Sequence, residues 1–233
     1  MASAGFDPGV LRDAYDAVAE EYAQKFGDDL EGLPLDTELL RSLAVVAQSL
    51  PMPGSGAPQG GPVPGSGTPQ GGLVLDVGCG PAQGGGYLAA RGIPVLGLDL
   101  SAGMLAAAVA RHGGVGLRAA CADMRRLPLR DRCCAGVTSF YALHHLPRED
   151  LALVLNEFRR VLRPGAGLLL ATHEGTGEYV ANDDLGIRGT LYAAPELDRA
   201  IADAGFADVR VRRRDPLPHE RQSGRLYVTA TAP

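Results

Sequence analysis

Residues 73–86 read LVLDVGCGPAQGGG, and this stretch is the clearest indication of the fold. The LVLDV run is short and apolar, which is typical of a strand buried on both faces. A glycine loop follows it at once, at the strand end where open α/β sheets bind ligands. The dinucleotide pattern G-x-G-x-x-G, started on Gly78, fails because Gln83 stands where its third glycine belongs. The stretch therefore predicts a ligand site that does not match a nicotinamide or flavin loop.

Beyond Leu73 the sequence alternates between strand and helix patterns. Alternation of this kind predicts a parallel sheet with right-handed crossovers. Two late β-rich runs, 206–214 and 225–232, have no room for a helix between them, so we expect them to pair antiparallel at one edge. The predicted strands lie near 73–77, 93–98, 115–120, 134–140 and 166–172, and the predicted helices near 85–91, 101–111, 147–162 and 195–204. The fold class is thus α/β, a doubly wound sheet, mostly parallel with one antiparallel edge strand, with helices on both faces.

Two features precede the predicted sheet. The segments PGVLRDAYDAVAEEYAQKF and LDTELLRSLAVVAQSL both show the three-four apolar spacing of amphipathic helices. Residues 53–72 nearly repeat PGSGAPQGG as PGSGTPQGG, and their proline and glycine content predicts a flexible linker. A proline-rich binding peptide is the alternative interpretation. We therefore expect a helical segment in residues 1–50, a linker in 51–72 and the core in 73–233.

The composition suits one globular domain, with 233 residues of which 45% are hydrophobic and 21% charged. A net charge of −5 gives no reason for general attraction to nucleic acid or to an anionic membrane. We see neither a leader pattern nor an apolar run near the roughly 18 residues of a spanning helix, so we expect a cytoplasmic protein. Its oligomeric state, monomer or homodimer, stays open. No metal-ligand spacing relates the four cysteines, which we interpret as free thiols: Cys79, Cys121, Cys133 and Cys134.

Two acidic residues follow later predicted strands. Asp99 ends the second strand, 23 residues after Asp76, and an acid about 20 residues beyond the glycine loop is where α/β nucleotide folds bind ribose hydroxyls. Asp123 closes the third strand, where its carboxylate is placed to accept a hydrogen bond from an adenine amino group. The alternatives are a helix N-cap that Asp99 shares with Ser101, and a simple turn at Asp123.

Five motifs in order resemble those of the class I S-adenosylmethionine-dependent methyltransferases that act on small molecules: LVLDVGCGP, GLDLSAGML, ADMRRLPL, VTSFYALHHLP and RRVLRPGAGLLLATHE. The N-terminal AYDAVAEEYAQKF is similar to the lid helix of many such members. The resemblance spans most of the chain and implies a Rossmann-like core, S-adenosyl-L-methionine as cofactor, and methyl transfer. The sequence departs from the family at Ala82, where glycine is usual, and in the linker before the first strand.

The resemblance also implies roles for named residues. Gly78 and Gly80 let the backbone approach the cofactor. Tyr15 and Tyr22 lie seven residues apart and so share a face of the lid helix. In related proteins such tyrosines close over the methionine end of the cofactor, which makes Tyr15 a catalytic candidate too; ordinary core packing is the alternative. The implied cofactor-binding set is Tyr22, Asp76, Gly78, Cys79, Gly80, Asp99, Leu100, Met104, Ala122, Asp123, Met124 and Phe140.

Three of the five histidines stand at the predicted carboxyl edge of the sheet. His144 and His145 follow the fourth strand, and His173 follows the fifth. An imidazole titrates near neutrality and suits the removal of a proton from a hydroxyl or ammonium, so these three are predicted catalytic bases. The alternative is that they only fix their loops. His112 and His219 are poor candidates.

The substrate is predicted less sharply than the cofactor. Residues 174–197, EGTGEYVANDDLGIRGTLYAAPEL, are expected to cross over the fifth strand and wall a pocket for a small acceptor. The arginines of VRVRRRD favour a solvated edge strand over a nucleic-acid patch. We expect a hydroxylated or amine-bearing metabolite, of secondary metabolism, methylated on oxygen, nitrogen or carbon. The competing functions are an NAD(P)-dependent oxidoreductase and a non-catalytic binder of an adenosine cofactor.

Overall fold

A computed structural model describes residues 7–26, 30, 32–50, 71–182, 187–218 and 220–233. Most of the expected linker, residues 51–70, and His219 lie outside the described residues. The helices are α1 (Pro8–Phe26), α2 (Pro34–Ser49), α3 (Gln83–Ala89), α4 (Ala102–His112), α5 (Leu151–Val161) and α6 (Ala194–Asp203). The strands are β1 (Val74–Val77), β2 (Val95–Asp99), β3 (Arg118–Cys121), β4 (Cys134–Phe140), β5 (Leu162–His173), β6 (Glu178–Asn182), β7 (Ile187–Thr190), β8 (Ala207–Arg214) and β9 (Arg225–Thr231).

Seven strands form one sheet in the order β3-β2-β1-β4-β5-β9-β8. The first five positions are joined by parallel pairing, and β9 pairs antiparallel with both β5 and β8. The predicted fold class and the antiparallel pairing of the last two runs are confirmed. The antiparallel strand, β9, lies one place in from the edge, and β8 forms the edge itself.

Two hydrophobic clusters fill the two faces of the sheet. Apolar residues of α5 and α6 pack in one of them, and apolar residues of α2, α3 and α4 pack in the other. All four residues of β1 are buried, as the LVLDV run predicts. Helices therefore cover both faces, and the carboxyl ends of the parallel strands lie together at one edge. None of the helices within the described ranges has the length and apolar character needed to span a bilayer.

Helix α2 belongs to the packing of the sheet. Leu43 lies over two glycines, and a Cβ on Gly136 or Gly167 would stand 3.0 or 2.8 Å from its Cδ1 atom. These two glycines let the helix approach β4 and β5 closely. At its far end, the backbone N–H of Gly72 donates to the carbonyl of Ala47 at 2.9 Å, which brings the start of β1 back to α2.

The segment after β5 contains a hairpin that the sequence patterns did not predict. Strands β6 and β7 pair antiparallel as a separate two-stranded sheet, with Tyr179 opposite Gly189. This hairpin lies between β5 and α6 in the chain, within the segment expected to cross over the fifth strand.

Candidate active site

The chain leaves β1 through a loop with three left-handed residues. Gly78, Gly80 and Ala82 have φ angles of 66°, 51° and 60°. Glycine adopts this region without penalty, whereas alanine is strained there by about 1 kcal/mol or more. A side chain at Gly78 would collide with Ala142, while Gly80 borders open space. The loop therefore leaves bare backbone beside a space that a ligand can enter.

Asp76 is the third of the four buried residues of β1, two positions before this loop begins at Gly78. It is 3% exposed, and its Oδ2 accepts a hydrogen bond from the backbone N–H of Gly85 at 2.8 Å. Burial raises the pKa of Asp76 to about 7; the Gly85 hydrogen bond opposes the rise and the nearby charge of Asp99 adds to it. Asp76 thus joins the start of α3 to the sheet and carries a proton more readily than an exposed aspartate.

Asp99 lies at the carboxyl end of β2 and holds two backbone segments together. Its two oxygens accept hydrogen bonds from the N–H of Gly80 at 2.8 Å and the N–H of Ser101 at 2.9 Å. Ser101 in turn caps α4 by accepting from the N–H of Met104. Burial raises the pKa of Asp99, against the lowering effect of these hydrogen bonds. Asp99 therefore takes part in the cap of α4 through the N–H of Ser101. Its hydrogen bond from Gly80 also keeps the carboxylate beside the open space at that glycine.

Asp123 follows β3 and is half-buried in an ion pair. Its Oδ1 accepts from the backbone N–H of Arg125, and the Arg125 guanidinium lies 2.7 Å from its Oδ2. Partial burial would raise the pKa of Asp123, but the hydrogen bonds from Arg125 outweigh it, so the pKa is lowered. Arg125 also reaches Asp150, 3.3 Å away. The turn alternative is thus observed, and an adenine amino group would share this carboxylate with an arginine.

The three predicted catalytic histidines come together. The ring centroid of His144 lies 3.9 Å from that of His145 and 5.1 Å from that of His173. Burial lowers the pKa of His145 to about 4 and of His173 to about 3, and it holds the pKa of His144 well below its ordinary value. Neighbouring arginines, Arg225 and Arg221, lower the pKa of His173 further. All three imidazoles are therefore neutral near pH 7, the form in which a histidine accepts a proton.

Tyr15 connects α1 to this cluster. Its hydroxyl lies 2.8 Å from Nε2 of His145, and its ring stands edge-on to Tyr22 at 5.8 Å, so the predicted shared face of the helix is confirmed. Burial raises the pKa of Tyr15, which keeps the hydroxyl protonated. The same helix is fixed by Asp16, whose Oδ1 accepts from the Ser101 hydroxyl at 2.6 Å and from the N–H of Gly103 at 2.8 Å. Helix α1 therefore lies across the start of α4, next to Asp99.

The other predicted cofactor residues differ in burial. Four are half-buried at the same edge of the sheet: Leu100, Ala122, Met124 and Phe140. Met104 is 2% exposed and Cys79 is 6% exposed, so both side chains lie in the protein interior. The Cys79 thiol packs against β2, where a Cβ on Gly97 would be 3.0 Å from its Sγ. A ligand would therefore contact position 79 through its backbone.

Three residues at this site were not predicted from the sequence. Tyr141, just after β4, has a left-handed φ of 53° and places its ring 5.4 Å from His173. Tyr179 of the hairpin lies 6.1 Å from His144, and Asp16 holds α1 in place. An aromatic residue inside the pocket-wall segment was a usable signal for Tyr179. The other two depend on contacts between distant parts of the chain.

Within the described ranges, no three histidine, cysteine, aspartate or glutamate side chains are grouped so as to hold a metal ion. The site instead combines a glycine loop, two acids at successive strand ends and a cluster of neutral imidazoles. Residues 74–165 match the family model of the methyltransferase domain. Residues 74–165 therefore form a methyltransferase domain of the class I, S-adenosylmethionine-dependent type.

Relatives of the chain are named for unlike acceptors. The chain is 35% identical over 133 residues to the fatty-acid O-methyltransferase of Mycolicibacterium smegmatis, and the match covers 56% of the chain and 42% of that relative. The chain is also 32% identical over 164 residues to a candidate 23S rRNA (guanine-N(1)-)-methyltransferase of Micromonospora griseorubida, and this match covers 67% of the chain and 48% of the relative. The chain therefore spans less than half the length of these curated relatives.

Solved structures share the fold at low identity. The 1,6-didemethyltoxoflavin-N1-methyltransferase of Burkholderia thailandensis, solved with 1,6-didemethyltoxoflavin and S-adenosylhomocysteine, superposes with a TM-score of 0.68. The superposition covers all of this chain and 91% of that chain, at 19% identity. This likeness shows the fold alone.

Proposed function

We propose that this chain binds S-adenosylmethionine at the glycine loop and transfers its methyl group to a small-molecule acceptor, with a histidine as base. The observation that carries the proposal is the cluster of His144, His145 and His173. These neutral imidazoles lie at the carboxyl edge of the sheet, and Tyr15 links them to α1. A methyltransferase needs little more than alignment and, for a protonated acceptor, a base.

The residues at the loop fit the cofactor. Gly80 borders open space, and Asp99 is held at that space by the N–H of Gly80. We assign the ribose hydroxyls to Asp99 and the adenine edge to Asp123 and Met124. When bound there, the cofactor would supply an electrophilic methyl carbon for transfer to the acceptor, with its sulfur as the leaving group.

We assign the base to His144 first. It is buried, it is neutral at physiological pH, and its Nδ1 has no hydrogen-bond partner among the described residues. Its imidazole would take the proton that the acceptor loses during transfer. His145 is engaged by the Tyr15 hydroxyl, so we assign it to positioning α1. His173, 3.2 Å from the Ser223 hydroxyl through Nδ1, is the second candidate base.

The charges on β8 support a small acceptor over nucleic acid. Three successive arginines each pair with an acid: Arg212 with Glu38 at 2.6 Å, Arg213 with Glu174 at 2.5 Å and Arg214 with Glu220 at 2.8 Å. Free cationic groups dominate nucleic-acid affinity, and arginines already neutralised by carboxylates contribute little to it. We therefore propose a small metabolite as the acceptor, although one relative is a candidate RNA enzyme.

Calorimetry and a transfer assay test the proposal. S-adenosylhomocysteine should bind the full chain and NADH should not, and the reverse result would contradict the cofactor assignment. Incubation with methyl-labelled S-adenosylmethionine and a panel of phenols, amines and indoles should then label at least one class.

Histidine variants test the base. The His144→Ala chain should bind S-adenosylhomocysteine normally and lose about 10²–10⁴-fold in turnover. The loss should shrink at high pH, because an acceptor that is already ionised needs no base. Near-full turnover at neutral pH in His144→Ala, His145→Ala and His173→Ala alike would rule out base catalysis by histidine.

A further inference from the structure

The hairpin delivers an aromatic ring to the histidine cluster. Tyr179 of β6 lies 6.1 Å from His144 and 5.9 Å from His173, measured between ring centroids. The Tyr179 ring meets His173 nearly at right angles, with an interplanar angle of 83°. Tyr179 is half-buried, so part of the ring still faces solvent. The three histidines and Tyr179 together form an aromatic lining in which His144 is buried and Tyr179 is half-exposed.

The placement of this ring is built into the hairpin. Gly189, directly opposite on β7, leaves room for the Tyr179 ring, and any side chain there would collide with it. The Arg221 guanidinium also lies 4.0 Å from the ring centroid and donates a hydrogen bond to the carbonyl of Val180 at 2.9 Å. The glycine leaves space for the ring and the cation contacts it, so both favour the observed orientation.

The charges around this lining are mainly positive. Arg221 covers Tyr179, and Arg225 lies 5.7 Å from the ring of Tyr141. Arg225 is 4% exposed, and most of its hydrogen bonds go to neutral oxygens of residues 221 and 223. Three carboxylates lie nearby: Glu174 pairs with Arg213, Glu220 pairs with Arg214 and also lies 3.7 Å from Arg225, and the buried Asp36 accepts a hydrogen bond from the Tyr227 hydroxyl. Arg221 and Arg225 thus leave an excess of positive charge at the lining. An ammonium group would be repelled here, and a developing oxyanion would be stabilised.

We propose that Tyr179, with His144 and His173, forms the acceptor subsite, and that it takes a planar ring bearing an acidic hydroxyl of the phenol or enol type. This inference rests on the proposed methyl transfer and deepens it. The ring of the acceptor packs on Tyr179, and its hydroxyl faces the neutral imidazoles. The oxygen loses its proton to an imidazole as it gains the methyl carbon, so no oxidant or further reactant is required.

A coloured probe tests the subsite without turnover. 4-Nitrophenol should bind the full chain saturated with S-adenosylhomocysteine, and the bound probe should ionise at a pH about one unit lower than in solution, because the arginines favour its phenolate. Benzylamine, a ring that carries an ammonium group, should bind at least tenfold more weakly. No binding of 4-nitrophenol, or equal binding of benzylamine, would overturn the proposal.

Substitutions at and around Tyr179 test whether its aromatic ring binds the 4-nitrophenol probe. Tyr179→Ala should weaken 4-nitrophenol binding about tenfold, as the loss of an aromatic partner does. Tyr179→Phe should keep the affinity within about twofold. Gly189→Ala should reproduce the loss by displacing the ring, while Gly114→Ala, whose Cβ would meet nothing within 4 Å, should not. The matched control for Tyr179→Ala is Tyr87→Ala, a tyrosine on α3 that also carries an arginine over its ring.

Arg221→Gln should remove part of the ionisation shift of the bound probe, whereas Arg91→Gln, which removes the guanidinium over Tyr87, should leave it unchanged. The outcomes also separate the two proposals. A chain that fails to bind S-adenosylhomocysteine contradicts the proposed methyl transfer. Normal binding of S-adenosylhomocysteine with undiminished 4-nitrophenol affinity in both Tyr179→Ala and Gly189→Ala overturns the acceptor subsite alone.

Discussion

The Asp76→Asn substitution measures how much stability the protein loses by burying a charged carboxylate next to the glycine loop. Folding raises the pKa of this carboxyl from 3.8 to about 7, because the group is buried and the hydrogen bond from the Gly85 N–H offsets only part of the cost of burying its charge. The folded protein then holds the proton more tightly than the unfolded chain does, so the free energy of unfolding falls as the pH rises from about 4 to about 7. At about 1.4 kcal/mol per pH unit, the fall due to Asp76 reaches about 4 kcal/mol.

Asparagine can still accept the Gly85 hydrogen bond and carries no charge. Asp76→Asn should therefore match the parent in stability near pH 3 and exceed it by an amount that grows between about pH 4 and about pH 7 and is constant above that. Urea unfolding followed by circular dichroism gives this difference at each pH. Glu220→Gln is the control. Arg214 lowers the pKa of Glu220 to about 2, so the stability that the Glu220 carboxylate contributes is lost only in acid. The difference in unfolding free energy between Glu220→Gln and the parent should therefore stay constant between about pH 5 and pH 8. A constant difference for Asp76→Asn over that range would refute the reasoning.

Three further substitutions test the loop and the packing around it. Asp99→Ala removes the acceptor of two backbone N–H groups as well as the proposed ribose contact. We expect urea unfolding to show about 2–4 kcal/mol lower stability and calorimetry to show at least tenfold weaker S-adenosylhomocysteine binding. Unchanged values for both would contradict the assignment. Leu43→Ala should destabilise the protein by about 2–5 kcal/mol, whereas Val45→Ala on the exposed face of the same helix should stay within about 0.5 kcal/mol; equal effects would mean that α2 does not pack on the sheet. Ala82→Gly relieves a left-handed φ but loosens the unfolded chain and removes a buried methyl, so thermal unfolding should show a net change under about 1 kcal/mol.

The sheet and the glycine loop could be predicted from the sequence because their signals are local. An apolar run, a glycine cluster and an acid about 20 residues on follow from the period of a strand and the geometry of one crossover. The same locality explains why Tyr15 and Tyr22 were correctly placed on one face of a helix. The hairpin was not predicted because a small two-stranded sheet carries a weak periodic pattern, and its stability depends on the ring that it packs against the histidines.

The sequence alone is enough to predict the order of strands and helices in the main sheet, the fold class, the glycine loop and the histidines that lie at one edge, because each depends on residues close together in the chain. The packing of α2 on the sheet, the pairing of Asp123 with Arg125 and the place of Tyr179 in the cluster are visible only in the tertiary structure. So are the burial that lowers the pKa values of the imidazoles and the burial that raises the pKa of Asp76. Burial and charge at a point in space depend on side chains that are distant in sequence, and no local pattern records which of them will meet.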